Sequence, residues 1–198
     1  MYRKVYNKKN FYGNENETIS RILNINSLNY PKYNSLVRTS IHSEKDFYLY
    51  EQDFLQIIKP YNLSKDMLFT LSDSLNYLDE MGFVHGDLNR KNIVFTKSNL
   101  KVIDLEPSLY QIKNNKRCLM ITMPYISKFD LKNRVITNRT DKLGFIYFIL
   151  RVNHFLSSKD IVDLSQDLEH SRILQLTENE LDEMDYYDLV NYAYKLFI

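Results

Sequence analysis

A carboxylate, two carboxamides, a histidine, an arginine and a lysine crowd one short stretch, His85-Gly86-Asp87-Leu88-Asn89-Arg90-Lys91-Asn92, and Asp104 follows seventeen residues after Asp87. Asp and Asn side chains present oxygen donors. A hard divalent cation such as Mg²⁺ takes that ligand type, using one or two side-chain oxygens together with phosphate oxygens and water. A lone Asp or Asn in a loop is more commonly a turn or cap residue. What singles out this group is the order Asp87, Asn92, Asp104 and the elements around it.

A helix precedes the stretch. Ser64 is a plausible N-cap, and Lys65 to Met81 carries Met67, Leu68, Leu71, Leu75 and Leu78 at spacings of three and four. Gly82 ends it as a left-handed cap would. Two apolar runs follow the stretch, Asn92 to Phe95 and Leu100 to Ile103, joined by the polar turn Thr96 to Asn99; they predict a hairpin. Upstream, Arg3 to Tyr6 is strand-like. Asn16 to Leu23 has helical spacing, with Ile19, Ile22 and Leu23 on one face and Asn14 or Asn16 as cap. Ser35 to Ile41 and Asp46 to Tyr50 read as two strands joined by a polar turn. Downstream, Lys142 to Leu156 and Leu181 to Phe197 read as helices. Strands with one helix come first, then mostly helices around a small hairpin. That order predicts an α+β fold in two parts, 1–52 and 53–198, with a boundary near Glu51–Asp53.

The run Phe83 to Phe95 resembles the catalytic loop of the protein-kinase-like superfamily, whose general form is H-x-D-L-x-x-x-N followed by an apolar strand. Val102-Ile103-Asp104-Leu105-Glu106 stands in the place of that family's D-F-G. Thr122-Met123-Pro124-Tyr125-Ile126-Ser127 and the run Thr137 to Gly144 are similar to the family's passage from substrate-binding loop to following helix. There, Ser127-Lys128-Phe129 replaces Ala-Pro-Glu, and Asp130 stands one residue late for the Glu. The resemblance covers residues 1 to about 156 and is strongest over 65–106.

The resemblance implies a bilobal protein-kinase-like fold with a reduced N-terminal lobe and a mostly helical C-terminal lobe. It implies ATP as phosphate donor, and Mg²⁺ (or Mn²⁺ in its place) as the metal. On this likeness Asp87 orients the acceptor hydroxyl and takes its proton, while Asn92 and Asp104 hold metal. Lys91, four residues after Asp87, answers the charge of the γ-phosphate, because Asn89 stands where a Ser/Thr kinase has its lysine. His85 completes the catalytic set as support for the loop. Asp141 is the buried Asp that braces the loop backbone. Lys4 takes the place of the strand lysine that meets the phosphates, with Glu17 (or Glu15) as its helix partner. Glu51 and Gln52 fall where the adenine-contacting hinge lies, and there backbone groups make the contacts.

The chain also departs from the pattern. None of its four glycines forms G-x-G-x-x-G, and with Lys4 as the strand lysine no chain precedes it for a glycine-rich loop. Glu106 replaces the Gly of D-F-G. Gly86 replaces an Arg, and the resulting His-Gly-Asp is typical of aminoglycoside, choline and lipopolysaccharide-core sugar kinases. The expected acceptor is a protein Ser, Thr or Tyr. The alternatives are a sugar or other small molecule, or a kinase-shaped binding module without turnover.

Composition bounds the rest. At 198 residues the chain can form one medium domain or two small lobes sharing a cleft. The single cysteine, Cys118, excludes an intrachain disulfide and a Cys-rich zinc site. Residues 1–158 hold 23 Lys/Arg against 15 Asp/Glu, whereas 159–198 hold 3 against 10. A basic body suits an anionic ligand; an acidic tail suits a solvated helix face. The basic excess is too modest, and aromatic-basic motifs too absent, for a nucleic-acid partner. The N-terminus has no apolar signal region, and no run approaches 18 apolar residues, so neither a secretory signal nor a transmembrane helix is expected. Cytoplasmic location is the expectation; delivery as an injected effector would leave no such trace.

Overall fold

The computed structural model describes residues 1–10, 15–59, 63–105, 128–133, 136–153 and 176–196. The fold is α+β, as the element order implies. β1 (Tyr2–Asn7), β2 (Thr39–Ser43) and β3 (Phe47–Gln52) form an antiparallel sheet in the order β1-β3-β2. Strand alternation sorts β3 cleanly: Tyr48, Tyr50 and Gln52 are buried on one face, while Phe47, Leu49 and Glu51 lie on the other.

α1 (Glu15–Ser27) lies along β2. Asn26 donates to the carbonyl of Ile41 at 2.9 Å and accepts from its N–H at 2.8 Å, so one side chain satisfies the outer edge of β2. The buried stripe of α1 is Thr18, Ile22 and Ile25; Ile19 and Leu23 are exposed. Ile22 is buried as its spacing predicts, but Ile19 and Leu23, expected on the same face, are not. Helix α1 begins at Glu15, so Asn16 lies inside its first turn rather than capping it, and Asn14 falls outside the described residues.

The segment after α1 leaves the sheet. Ser35 to Arg38 was expected as strand, but the ladder of β2 begins only at Thr39. Two other partners claim the segment. Val102 donates to the Ser35 carbonyl at 2.7 Å, and Leu36 bridges Val102 in parallel. Tyr33 stacks on Tyr77 with centroids 4.0 Å apart, and the Ser35 N–H reaches Ser74 Oγ at 3.3 Å. This stretch fastens the sheet to the elements that carry the loop.

Those elements begin with α2 (Lys65–Glu80). Ser64 caps it, accepting from the Met67 N–H at 3.2 Å, and Leu68, Leu71, Leu75 and Leu78 face the core. Gly82 is left-handed, with φ 63°. The Gly82 N–H bonds the Asp79 carbonyl and the Phe83 N–H bonds the Leu78 carbonyl, each at 2.8 Å. That Schellman ending turns the chain sharply and aims it into His85. β4 (Ile93–Phe95) and β5 (Leu100–Val102) form the expected hairpin, with Ile93 opposite Val102.

α3 (Lys128–Asn133) leads to α4 (Asn138–Val152), capped by Thr137. Every residue from Thr140 to Leu150 is buried. A helix surrounded on all sides shows no polar stripe, so its start at Asn138 was hidden and Lys142 seemed the first member. The described part ends at Asn153, so the expected extension to Leu156 lies outside it. The single helix expected over Leu181 to Phe197 is two: α5 (Glu178–Glu183) and α6 (Tyr186–Lys195). Met184 is extended, with ψ 134°, and Asp185 caps α6 in a capping box with Asp188. A cap-forming Asp at that place outweighs the continuous apolar spacing. α6 packs on α2, where Asn76 and Ser72 bond the backbone of Tyr186 at 2.9 and 3.1 Å. No helix among the described residues is long and apolar enough to cross a membrane.

Candidate active site

Elements from across the fold set the loop and Asp104. The turn after α2 delivers the loop; the β4–β5 hairpin carries the chain back to Asp104; α4 lies beneath; β1 and β3 reach in from the sheet. Asp141, in the first turn of α4, accepts from the His85 N–H at 2.6 Å and the Gly86 N–H at 2.8 Å. It is the buried brace the sequence led one to expect. Burial pushes its carboxyl up to about 6, while the two backbone donors pull the other way. One helical turn on, Gly144 lets the loop rest directly on α4: a Cβ there would stand 1.8 Å from the Leu88 carbonyl oxygen. Gly86 has φ 81°, a conformation that suits glycine.

His85 is fully buried, and both ring nitrogens are engaged. Nδ1 faces the Asp87 N–H at 3.2 Å, and Nε2 faces the Ile103 carbonyl at 2.9 Å. A neutral ring with its proton on Nε2 satisfies both contacts. His85 therefore ties the start of the loop to the residue before Asp104, which is support rather than reaction.

The Asp87 carboxylate is held by two amides. Asn89 Nδ2 donates to Oδ1 at 2.6 Å, and Asn92 Nδ2 donates to Oδ2 at 3.0 Å. Both amides also bond the Asp87 carbonyl, at 3.0 and 2.8 Å. Asn89, nearly buried, further accepts from the Lys91 N–H at 2.8 Å. Asn89 thus orients Asp87 and sets the backbone from which the exposed Lys91 projects. Sequence reasoning noted Asn89 only as a missing lysine; its place two residues after Asp87 was the one signal.

The hairpin carries the site onward. The Ile103 N–H bonds the Asn92 carbonyl at 2.9 Å, which extends the β4–β5 ladder by one step and brings Asp104 beside the loop. Asp104 has φ 58°, the only positive value at a non-glycine among the described residues. Its Oδ1 pairs with Lys4 Nζ at 3.0 Å, and its N–H reaches Gln52 Oε1 at 3.3 Å. Lys4 therefore meets Asp104 itself. Glu17 lies in α1, and its side chain is outside the described residues.

Glu51 and Gln52 end β3 with opposite orientations. Glu51 turns to the far face, pairing with Arg3 at 2.7 Å and approaching His42 at 3.4 Å. Gln52 turns inward to Asp104 and Tyr50. Asp130 is buried and accepts from the Thr137 N–H at 2.9 Å and the Thr140 hydroxyl at 2.6 Å, bracing the start of α4. Glu106, Cys118 and Thr122 to Ser127 lie outside the described residues.

No family model matches this chain, and no curated protein does.

The donor set around Asp104 suits one kind of cation. Among the described residues no cluster of three His, Cys, Asp or Glu side chains could enclose a metal ion. The available ligands are the Asp104 carboxylate and the Asn92 amide oxygen, the amide nitrogen being committed to Asp87. Two oxygens and no thiolate or imidazole fit Mg²⁺ or Mn²⁺ delivered with phosphate oxygens and water.

Proposed function

We propose that this chain is an ATP- and Mg²⁺-dependent phosphotransferase with a bilobal protein-kinase-like fold. Residues 1–52 form its reduced N-terminal lobe, and residues 53–198 its helical C-terminal lobe. The observation that supports this most is the contact of Lys4 with Asp104 at 3.0 Å, beside an Asp87 held by Asn92. A strand lysine meets the hairpin aspartate, and the loop aspartate is held by Asn89 and Asn92, the latter one ladder step from Asp104; this supports a shared site for phosphate, metal and hydroxyl.

The chemistry follows from the parts. The acceptor hydroxyl oxygen bonds to the γ-phosphorus as the bond to the ADP oxygen breaks, and the hydroxyl proton passes to Asp87. Asn89 and Asn92 fix the carboxylate, so little reorganisation is needed as that proton moves. Mg²⁺, when bound, would supply positive charge to the transferring phosphate, and Asp104 and the Asn92 amide oxygen are the residues that would hold it. Lys4 turns from Asp104 toward the phosphates, and Lys91 adds a cation at the rim.

A protein Ser, Thr or Tyr is the favoured acceptor. A small molecule or lipopolysaccharide-core sugar is the second reading, favoured by Gly86, which gives the loop its His-Gly-Asp form. A kinase-shaped binding module is the third, favoured by the lack of a glycine-rich motif. A screen of protein and sugar acceptors with γ-labelled ATP and mass-spectrometric readout separates them. We expect a labelled product that Asp87→Ala does not form. No transfer to any acceptor or to the chain itself, with ATP still bound, contradicts the enzyme and supports the module.

A further inference from the structure

We propose that Gln52 is a positioning residue: through its side chain the sheet holds Asp104 in its left-handed backbone conformation. The proposal rests on the phosphotransferase reading for what Asp104 binds, and on geometry alone for how Asp104 is held.

Asp104 needs an external hold. A non-glycine residue at φ 58° is strained by about 1 kcal/mol or more and persists only where its surroundings fix it. Its own hairpin stops one residue short, the last rung being the Ile103 N–H on the Asn92 carbonyl. The next N–H, that of Asp104, goes to Gln52 Oε1 at 3.3 Å. The same oxygen accepts from the Tyr50 hydroxyl at 2.6 Å. Tyr50 is fully buried and Gln52 is 6% exposed, so this amide cannot wander into solvent.

Register explains why the hold comes from the sheet. Tyr2 stands opposite Gln52 and Lys4 opposite Tyr50, so Lys4 and Gln52 share one face of neighbouring strands. Lys4 takes the Asp104 carboxylate and Gln52 its backbone. The Lys4 and Asp104 side chains are 24% and 30% exposed, so water and salt weaken that pair. The buried Gln52 contact is the more directional of the two. A hinge residue that served only through its backbone could carry any side chain. Burying a glutamine is unfavourable unless its polar atoms are bonded, and here the bonded atom reaches the candidate metal ligand.

Three variants test this. Gln52→Met removes the acceptor at similar size, Gln52→Glu keeps an acceptor oxygen, and Tyr50→Phe is a milder change that removes the hydroxyl donating to Gln52. The first readout is amide hydrogen exchange at Asp104 in the protein without ligands. Exchange should quicken about tenfold in Gln52→Met, as expected for loss of one buried hydrogen bond, and two- to threefold in Tyr50→Phe. It should stay near wild type in Gln52→Glu, with β4 and β5 amides unchanged throughout. The second readout is the Mn²⁺ concentration that half-saturates ATP-dependent thermal stabilisation. It should rise about tenfold in Gln52→Met and return in Gln52→Glu.

Unchanged Asp104 exchange in both Gln52→Met and Tyr50→Phe overturns the proposal. So does quickened exchange with an unchanged Mn²⁺ requirement, which would make the contact merely structural. If wild type shows no response to ATP and Mn²⁺, the phosphotransferase reading fails, and the exchange data still decide whether Gln52 holds Asp104.

Discussion

The two sides of the candidate site are built differently. The loop side, His85 to Asn92, is fixed by buried hydrogen bonds, several of them to α4 and the hairpin. The sheet side reaches Asp104 through two contacts, one partly exposed ion pair at 3.0 Å and one long hydrogen bond at 3.3 Å. The loop side would keep its shape without a ligand, whereas the sheet side is fastened more lightly; on the proposed function, nucleotide and metal would displace Lys4 there. A site that must admit a bulky polyanion and still present a fixed base gains from that division.

Substitutions on the loop side should therefore cost more stability than those on the sheet side. The largest effect belongs to Gly144→Ala. Its methyl would meet the Leu88 carbonyl oxygen at 1.8 Å, backbone against backbone. The gain in helix propensity is about 1 kcal/mol. The clash should exceed it, giving a net loss of more than about 4 kcal/mol by chemical denaturation, or no folded protein. A stability loss under about 1 kcal/mol would mean that α4 can move away from the loop.

Asp141→Asn comes next. One of the two backbone donors would then face an amide NH₂, with an expected loss of about 2 kcal/mol at neutral pH. Its pH dependence has a definite sign. Burial raises the folded-state value from 3.8 to about 6, so between those values the folded protein binds more proton than the unfolded chain. The stability that Asp141 contributes is thus full below about 4 and lost as pH rises through 6. Urea titrations from pH 4 to 7 should show the gap between wild type and Asp141→Asn widening toward low pH. Asp182, held low chiefly by its hydrogen bond from Arg139, acts in the opposite sense, but equally in both proteins.

Asn89→Ala should be milder, about 1–2 kcal/mol, because it strips one amide from Asp87 and one acceptor from the Lys91 N–H. Lys4→Met should be mildest, within about 1 kcal/mol, since its ion pair is partly exposed. It should nevertheless weaken ATP binding severalfold by calorimetry. A Lys4 variant as unstable as the Gly144 variant would erase the contrast between the two sides.

Much of this was legible in the sequence. The Leu spacing of α2, Ser64 and Gly82 marked a helix and both its ends, and the polar turn between two apolar runs marked the hairpin. The likeness to the protein-kinase-like catalytic loop set Asp87, Asn92 and Asp104 in order, and the brace at Asp141 followed from the same likeness. Two of the hidden parts share a cause: their partners lie far away in sequence. Ser35 to Arg38 looks like strand until α2 and β5 claim it. The side chain of Gln52 meets Asp104, 52 residues later, a contact that the hinge reading of its backbone does not reveal. The uniform burial of α4 conceals its start, and the cap at Asp185 breaks a pattern that periodicity alone would continue.

The central claim, that Asp104 and its neighbours form a metal-assisted phosphate site, has one direct test. Thermal unfolding is followed for wild type and Asp104→Ala with ATP alone and with ATP plus Mg²⁺. A ligand present at 100 times its dissociation constant adds about 2.7 kcal/mol to stability. Wild type should show stabilisation of that order that requires Mg²⁺, and Asp104→Ala should lose most of it while unfolding normally without ligand. Stabilisation that ignores Mg²⁺, or persists undiminished in Asp104→Ala, would contradict the account.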